Sequence, residues 1–309
     1  MPRPPLLFLF FYLFLISAIA GAAQQAKPSP ETLAEIQALV DFRRSLRDPL
    51  GALTGWDPAS PSAPCSWRGV ACSPPGDAGD RRVVELRLPR LQLAGPISDR
   101  LAALPQLHKL SLLGNALNGT IPSSFSRFRR LRSLFLQFNS LSGPLPPGFP
   151  SNLTDLEGLN LAGNFFSGQI PRVLPPNLRY LDLSSNAFSG EIPTNVSAAP
   201  RLQLINLSFN RLRGMIPAGM GLLQGLLYLW LDGNRLEGTL PAALANCSSL
   251  LHISLQGNAL RGIVPAAIGE IPQLQVLSLS HNNLSGSIPT SIFFPAALAS
   301  SSPALRIVQ

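Results

Sequence analysis

Residues able to do covalent or metal chemistry are few in this chain and do not converge. The three histidines, His108, His252 and His281, and the three cysteines, Cys65, Cys72 and Cys247, are spread along 309 residues. No G-x-S-x-G, H-E-x-x-H or phosphate-binding glycine loop occurs, and each of those motifs works only because its residues stand at fixed spacing. Cys65 and Cys72 have no histidine nearby, so they make no zinc site. No catalytic residue, metal or cofactor is therefore expected, and the chain is not read as an enzyme. The chemistry that remains is recognition by aromatic rings, carboxylates and amides. Which of these face solvent depends on the elements that carry them.

Those elements are copies of one pattern. From Leu104 to Pro289 the chain repeats L-x-x-L-x-L-x-x-N-x-L-x-G-x-I-P eight times, aligned on Asn115, Asn139, Asn164, Asn186, Asn210, Asn234, Asn258 and Asn282. The spacings are 24, 25, 22, 24, 24, 24 and 24 residues. Such a period in such a pattern is the signature of a leucine-rich repeat solenoid. The L-x-L pair sits at strand spacing, so Leu110 and Leu112 point to one face, which must be the core. No single coil can bury its own leucines, so stability comes from stacking coils with parallel strands. The asparagine follows the strand and can satisfy backbone groups that the turn leaves buried. Four residues on stands a glycine, from Gly119 to Gly286, which predicts a positive φ or a tight approach. The following proline prevents a long convex helix from starting early. The repeat Asn164 to Asn186 is two residues short, so its convex side must be tight.

The ends differ from the middle. Arg3 followed by the apolar run Leu6–Ala20, with small residues at Ala18 and Ala20, reads as a secretory signal over 1–23. The run is about 15 residues, short of the roughly 20 that a spanning helix needs. A helix is expected next, with Thr32 to Glu35 as a capping box and Leu33, Ile36, Leu39, Val40 and Leu46 at helical spacing, ended by Asp48-Pro49. Cys65 and Cys72, in an oxidising compartment with six residues between them, are expected to pair. Cys247 is left over and reads as a buried free thiol packing like a small hydrophobe. Residues 81–97 form a degenerate first repeat with Leu91 where asparagine is expected.

Two stretches carry a family resemblance. The L-x-G-x-I-P tail resembles the plant-specific class of leucine-rich repeats. The block Pro64-Cys-Ser-Trp-Arg-Gly-Val-Ala-Cys72, preceded by Trp56, is similar to the N-terminal cap of plant leucine-rich repeat receptors. The resemblance implies an α/β solenoid: a plant-type superhelix with a parallel concave sheet, an extra short strand on the flank of each coil, and an N-terminal cap. Trp56 and Trp67 would plug the open end of the first coil. The division that follows is a signal over 1–23, the cap over 24–80, the degenerate repeat over 81–97, eight regular repeats over 98–292, and an irregular start of a further repeat over 293–309. There Leu305 and Val308 fit the opening of a ninth copy, 31 residues after Leu274. No C-terminal cap is visible, and the chain is read as the front part of something longer.

In this frame the x residues flanking each central leucine form the concave face. Most are small and polar. Phe135, Tyr180, Tyr228 and Trp230, with Phe138 and Phe209 near the rim, stand out as anchors for a ligand. Asp182 and Asp232 beside them could hold a basic group, and His252 is a further candidate on the concave face. Bulky residues on a curved sheet can also simply pack on one another. Six N-x-S/T sequons, at Asn118, Asn152, Asn195, Asn206, Asn246 and Asn283, fit a secreted glycoprotein. Asn206 projects from the concave sheet, where a glycan would obstruct it. The net charge of +8 is almost all arginine, and in an extracytoplasmic chain it does not point to nucleic acid. Arg127, Arg129, Arg130 and Arg132 fall before a strand, so they lie off the sheet, as a solvated flank or a contact for an acidic partner.

The resemblance implies a function. The chain would be the extracellular, ligand-binding part of a plant leucine-rich repeat receptor-like kinase, at the outer face of the plasma membrane. A peptide or protein ligand would bias pairing with a co-receptor. Attachment to the membrane would come only through a C-terminal span outside this sequence. The alternative is a soluble secreted binder, similar to polygalacturonase inhibitors or receptor-like proteins.

Overall fold

The structure is a computed structural model that describes residues 28–74, 81–293 and 306–308. The leader expected over 1–23 and most of the segment 293–309 lie outside these residues. One sheet of eleven strands runs the length of the described chain. Val70–Cys72 opens it antiparallel to Val83–Arg87, and the later strands are parallel, one per coil, from Lys109–Ser111 to Arg306–Val308. Register is kept because each strand buries the same residue. Leu110, Leu134, Leu159, Leu181, Ile205, Leu229, Ile253 and Leu277 pair in line and are all buried. A slip of one residue would turn every such leucine to water.

The asparagines stitch neighbouring coils. Asn139 donates from Nδ2 to Leu112 O at 3.1 Å and Leu136 O at 3.0 Å, and accepts Leu117 N–H at Oδ1 at 3.0 Å. The same three bonds recur at Asn164, Asn210 and Asn234. Asn115 makes the regular bond to the degenerate coil, accepting Leu93 N–H at 3.1 Å, and also accepts Leu91 N–H at 2.9 Å. Past each asparagine the chain enters a flank strand, and seven of these, from Ala94–Pro96 to Arg235–Glu237, form a second sheet. The glycines there take φ near +80°, as at Gly143 and Gly238.

The proline does more than delay a helix. Pro122, Pro193, Pro217, Pro241 and Pro265 each stand at the N-cap of a five-residue 3-10 helix on the convex side. In the shortened repeat no helix lies between the strands Phe165–Gln169 and Tyr180–Asp182 among the described residues.

The cap departs from expectation at its start. The helix spans Pro30–Arg44 and is capped by Ser29, whose Oγ accepts Thr32 N–H at 3.1 Å. Proline at the first helical position favours that start. Glu35 therefore does not close a capping box. It is fully buried, pairs with Arg82 at 2.8 Å and accepts Val83 N–H at 2.9 Å, so it fastens the helix to the strand Val83–Arg87. Leu33 is 47% exposed and belongs to no core face, while Ile36, Leu39 and Phe42 turn inward. The helix ends before the expected Asp48-Pro49, with Ser45 at its C-cap, and Asp48 lies beyond it with its carboxylate accepting Ala52 N–H and Leu53 N–H. Trp56 and Trp67 are buried and stacked 5.2 Å apart. Cys65 and Cys72 are disulfide-bonded. Cys247 is buried, with its thiol against Met220 O at 3.2 Å. At the far end the register pairs Leu277 with Ile307 and Ser278 with Val308. The offset is thus 30 residues (307 − 277) rather than the expected 31, and Ile307 stands in the leucine's place.

Candidate binding surface

The two outward positions of each three-residue strand make two lanes across the coils. The first runs Gly158, Tyr180, Leu204, Tyr228, His252. The second runs Phe135, Asn160, Asp182, Asn206, Trp230. The parallel registers alone bring residues from coils about 24 positions apart in sequence side by side.

The expected anchors fall into three groups. Tyr228 lies between Trp230, at 5.5 Å, and His252, at 5.2 Å and edge-on, so these three half-buried rings form one cluster. Tyr180 is 50% exposed and has no ring partner among the described residues. Phe135 is half-buried under the Lys109 ammonium, which sits 5.6 Å from its centroid, and leans over Gly158, where even a methyl group would lie 3.8 Å from the ring. Packing along the ladder thus accounts for part of this surface, and open ring faces for the rest.

Phe138 and Phe209 do not join the sheet lanes. Each occupies the position before the repeat asparagine with φ near +57°, a left-handed conformation that glycine fills in the coils of Gly163 and Gly233. Each ring lies over that next glycine, where a methyl group would come within 2.7 Å of it. They remain 64% and 58% exposed at the rim.

The two aspartates differ. Asp232 is only 8% exposed. Its carboxylate accepts Ser254 Oγ–H at 2.5 Å, Ser208 Oγ–H at 3.2 Å and Gln256 N–H at 3.0 Å. The expected role as a ligand's counter-ion does not suit it, because three donors from adjoining coils already engage it. Asp182 is half-buried and engages only one oxygen, with Ser184 N–H at 3.0 Å and Ser184 Oγ–H at 2.7 Å. Sequence reasoning also missed Gln137, whose buried Oε1 has no partner among the described residues.

The sequon asparagines Asn118, Asn195, Asn246 and Asn283 are exposed, and Asn152 is half-buried. Asn206 is half-buried in the second lane with its Oδ1 on Ser208 N–H at 3.1 Å. Arg127, Arg129, Arg130 and Arg132 are exposed before their strand; Arg130 bonds Gln106, and Arg129 bonds Asn152 O at 3.2 Å. Burial pushes the Cys247 thiol up to about 11. A hollow of about 720 Å³ lined by Glu191, Met215 and Glu237 opens between the flank strands and the 3-10 helices. No helix among the described residues is long and apolar enough to cross a membrane.

Comparison with known proteins agrees with this architecture. The leucine rich repeat N-terminal domain matches residues 33–73. Leucine rich repeat profiles match 130–152, 177–198, 201–223 and 224–284. A rice (Oryza sativa subsp. japonica) protein, the probable inactive leucine-rich repeat receptor kinase XIAO, is 58% identical over 160 residues. That match covers 52% of this chain and 14% of the relative, so it spans only about a seventh of that protein's length. The Arabidopsis receptor kinase HAESA, solved with the peptide hormone IDA and the co-receptor SERK1, superposes with a TM-score of 0.74 at 31% identity. It covers 85% of this chain and 44% of that one. A plant ice-binding protein gives 0.70 at 27% identity, covering 89% of this chain and 87% of that one.

Proposed function

We propose that this chain, a plant-type leucine-rich repeat solenoid closed at its start by a leucine-rich repeat N-terminal domain, is the ligand-sensing part of a receptor kinase's extracellular region. It binds a peptide on its concave face, and the bound peptide favours pairing with a co-receptor. The relatives it matches are receptor kinases much longer than the match, so on this reading the membrane span and kinase lie outside this sequence. The leader over 1–23 delivers the chain to the cell surface. The observation that carries the reading is the cluster of Tyr228, Trp230 and His252, with the exposed Tyr180, on a sheet face that covers no core of its own. Large rings held half-open on a rigid element are what binding hot spots are made of.

A second reading, a soluble secreted binder such as a polygalacturonase-inhibitor-like or receptor-like protein, is favoured by the ice-binding relative, which this chain matches over most of both lengths. An antibody to the cap separates the two. Its target in source tissue is expected in the membrane fraction at a mass well above 33.0 kDa; a product near that mass plus glycans, free in extracellular fluid, overturns the receptor reading. The concave face is tested by Trp230→Ala. Secretion and circular dichroism are expected to be unchanged while ligand binding falls about tenfold or more, as for a hot-spot residue; a variant retained in the cell would make Trp230 structural.

A further inference from the structure

The second lane of the sheet contains a regular device. Its order is Phe135, Asn160, Asp182, Asn206, Trp230, fixed by strand register. The three polar members share one geometry. Asn160 Oδ1 accepts Ala162 N–H at 3.0 Å, Asp182 Oδ1 accepts Ser184 N–H at 3.0 Å, and Asn206 Oδ1 accepts Ser208 N–H at 3.1 Å. Each side chain thus bonds the backbone two residues on and is held in one orientation. The second polar atom of each, the Nδ2 amides of Asn160 and Asn206 and Oδ2 of Asp182, has no protein partner among the described residues. Asp182 also has no cationic partner there, since the ion pairs join other residues. The lane therefore reads ring, amide donor, carboxylate, amide donor, ring.

The spacing selects what fits. Strands lie about 4.8 Å apart, so each ring stands about 10 Å from Asp182 along the lane, which is roughly one three-residue turn of a polyproline II chain at about 3.1 Å per residue, whose every third side chain falls on one face. An uncompensated carboxylate on a half-buried surface is best completed by a guanidinium or ammonium group. The amide donors on either side suit backbone carbonyls, and the rings suit apolar side chains.

Resting on the peptide reading above, we propose that this lane recognises a peptide in the polyproline II conformation with an arginine or lysine at its centre and an apolar residue three positions away on each side. The central cation meets Asp182, and the apolar residues meet Phe135 and Trp230. The lane also requires that Asn206 carry no glycan, because a sugar there would stand between Asp182 and Trp230. The buried Ser208 of that sequon already gives its hydroxyl to Asp232.

The test uses the full secreted chain and capped heptapeptides with leucine at the first and seventh positions, glycine or serine elsewhere, and arginine, alanine or glutamate at the fourth. Titration calorimetry is expected to show the arginine probe binding at least tenfold tighter than the alanine probe, with the glutamate probe weaker still. Asp182→Asn keeps an oxygen for Ser184 N–H and so keeps the fold; it is expected to erase the preference for arginine over alanine. Equal binding of the arginine and alanine probes, with both lost in Trp230→Ala, overturns this inference and leaves the peptide reading standing. No binding by any probe overturns both. A glycan found on Asn206 by mass spectrometry of the secreted chain also overturns the inference.

Discussion

At the scale of single residues, the structure separates side chains that serve the solenoid from those left for a partner. Cys247 serves the solenoid. Burial pushes its thiol up to about 11, whereas an unfolded chain releases that proton near its ordinary value of about 8.5. The native state thus holds the proton over an interval in which the unfolded state has lost it. The thiol's contribution to stability is intact below that interval and declines as pH rises through it. Relative to a Cys247→Ala variant, the melting temperature is expected to fall more steeply between about pH 8.5 and 10.5, and the native thiol is expected to resist alkylation at pH 8. Parallel melting curves with rapid alkylation would show the thiol to be accessible. Asp232 shows why single residues are hard to read from sequence. It stands two residues before its repeat asparagine, where Asp182 stands four before, and Ser208 and Ser254, 24 and 22 residues away, engage it. Nothing local announces them. The start of the cap was legible in principle, since Ser29-Pro30 is itself a start signal; the Thr32 to Glu35 pattern competed with it, and the buried Arg82 pairing gave Glu35 another role.

At the scale of the coil, the repeating pattern left little hidden. Strand, inward leucine, asparagine turn and glycine flank are set by residues within one 24-residue window, so spacing alone exposes them. What lay beyond the pattern was the helical turn that each proline starts, and the shift of the Arg306–Val308 strand by one residue. The asparagine turn is where a coil holds its neighbour, and its cost can be argued. Asn210 donates to Leu183 O at 3.0 Å and Leu207 O at 3.1 Å and accepts Phe188 N–H at 3.0 Å, all buried. Asn210→Ala leaves Phe188 N–H without this acceptor, at about 1–3 kcal/mol for a buried group left unsatisfied, while Leu183 O and Leu207 O keep the amides of Asn186 and Asn234. A loss of about 1–3 kcal/mol in urea unfolding is expected, with the concave side chains unaltered. A loss below about 1 kcal/mol would mean that water enters the turn and replaces the amide.

At the scale of the whole molecule, stability and recognition occupy different places. Each coil rests on its neighbours, so a solenoid's stability is close to a sum of local terms, and damage at one end need not reach the middle. The cap rests on Glu35, whose pair with Arg82 and bond to Val83 N–H join the helix to the strand Val83–Arg87. Removing one partner of a buried pair leaves the other without its counter-charge, so Glu35→Ala acts on the first coils directly. Hydrogen exchange is expected to quicken by at least tenfold at the amides of Leu86 to Leu112. Those of Ile205 to Leu255, which carry Tyr228, Trp230 and His252, are expected to stay protected, because local openings in such a chain do not require global unfolding. Peptide binding at the ring cluster should then survive in a variant whose N-terminal end is loosened. A uniform rise in exchange from cap to last coil would show instead that the described coils unfold as one unit, and that the cap governs the binding face through global stability. The two outcomes assign the cap different work: closing an open end, or holding the whole surface in shape.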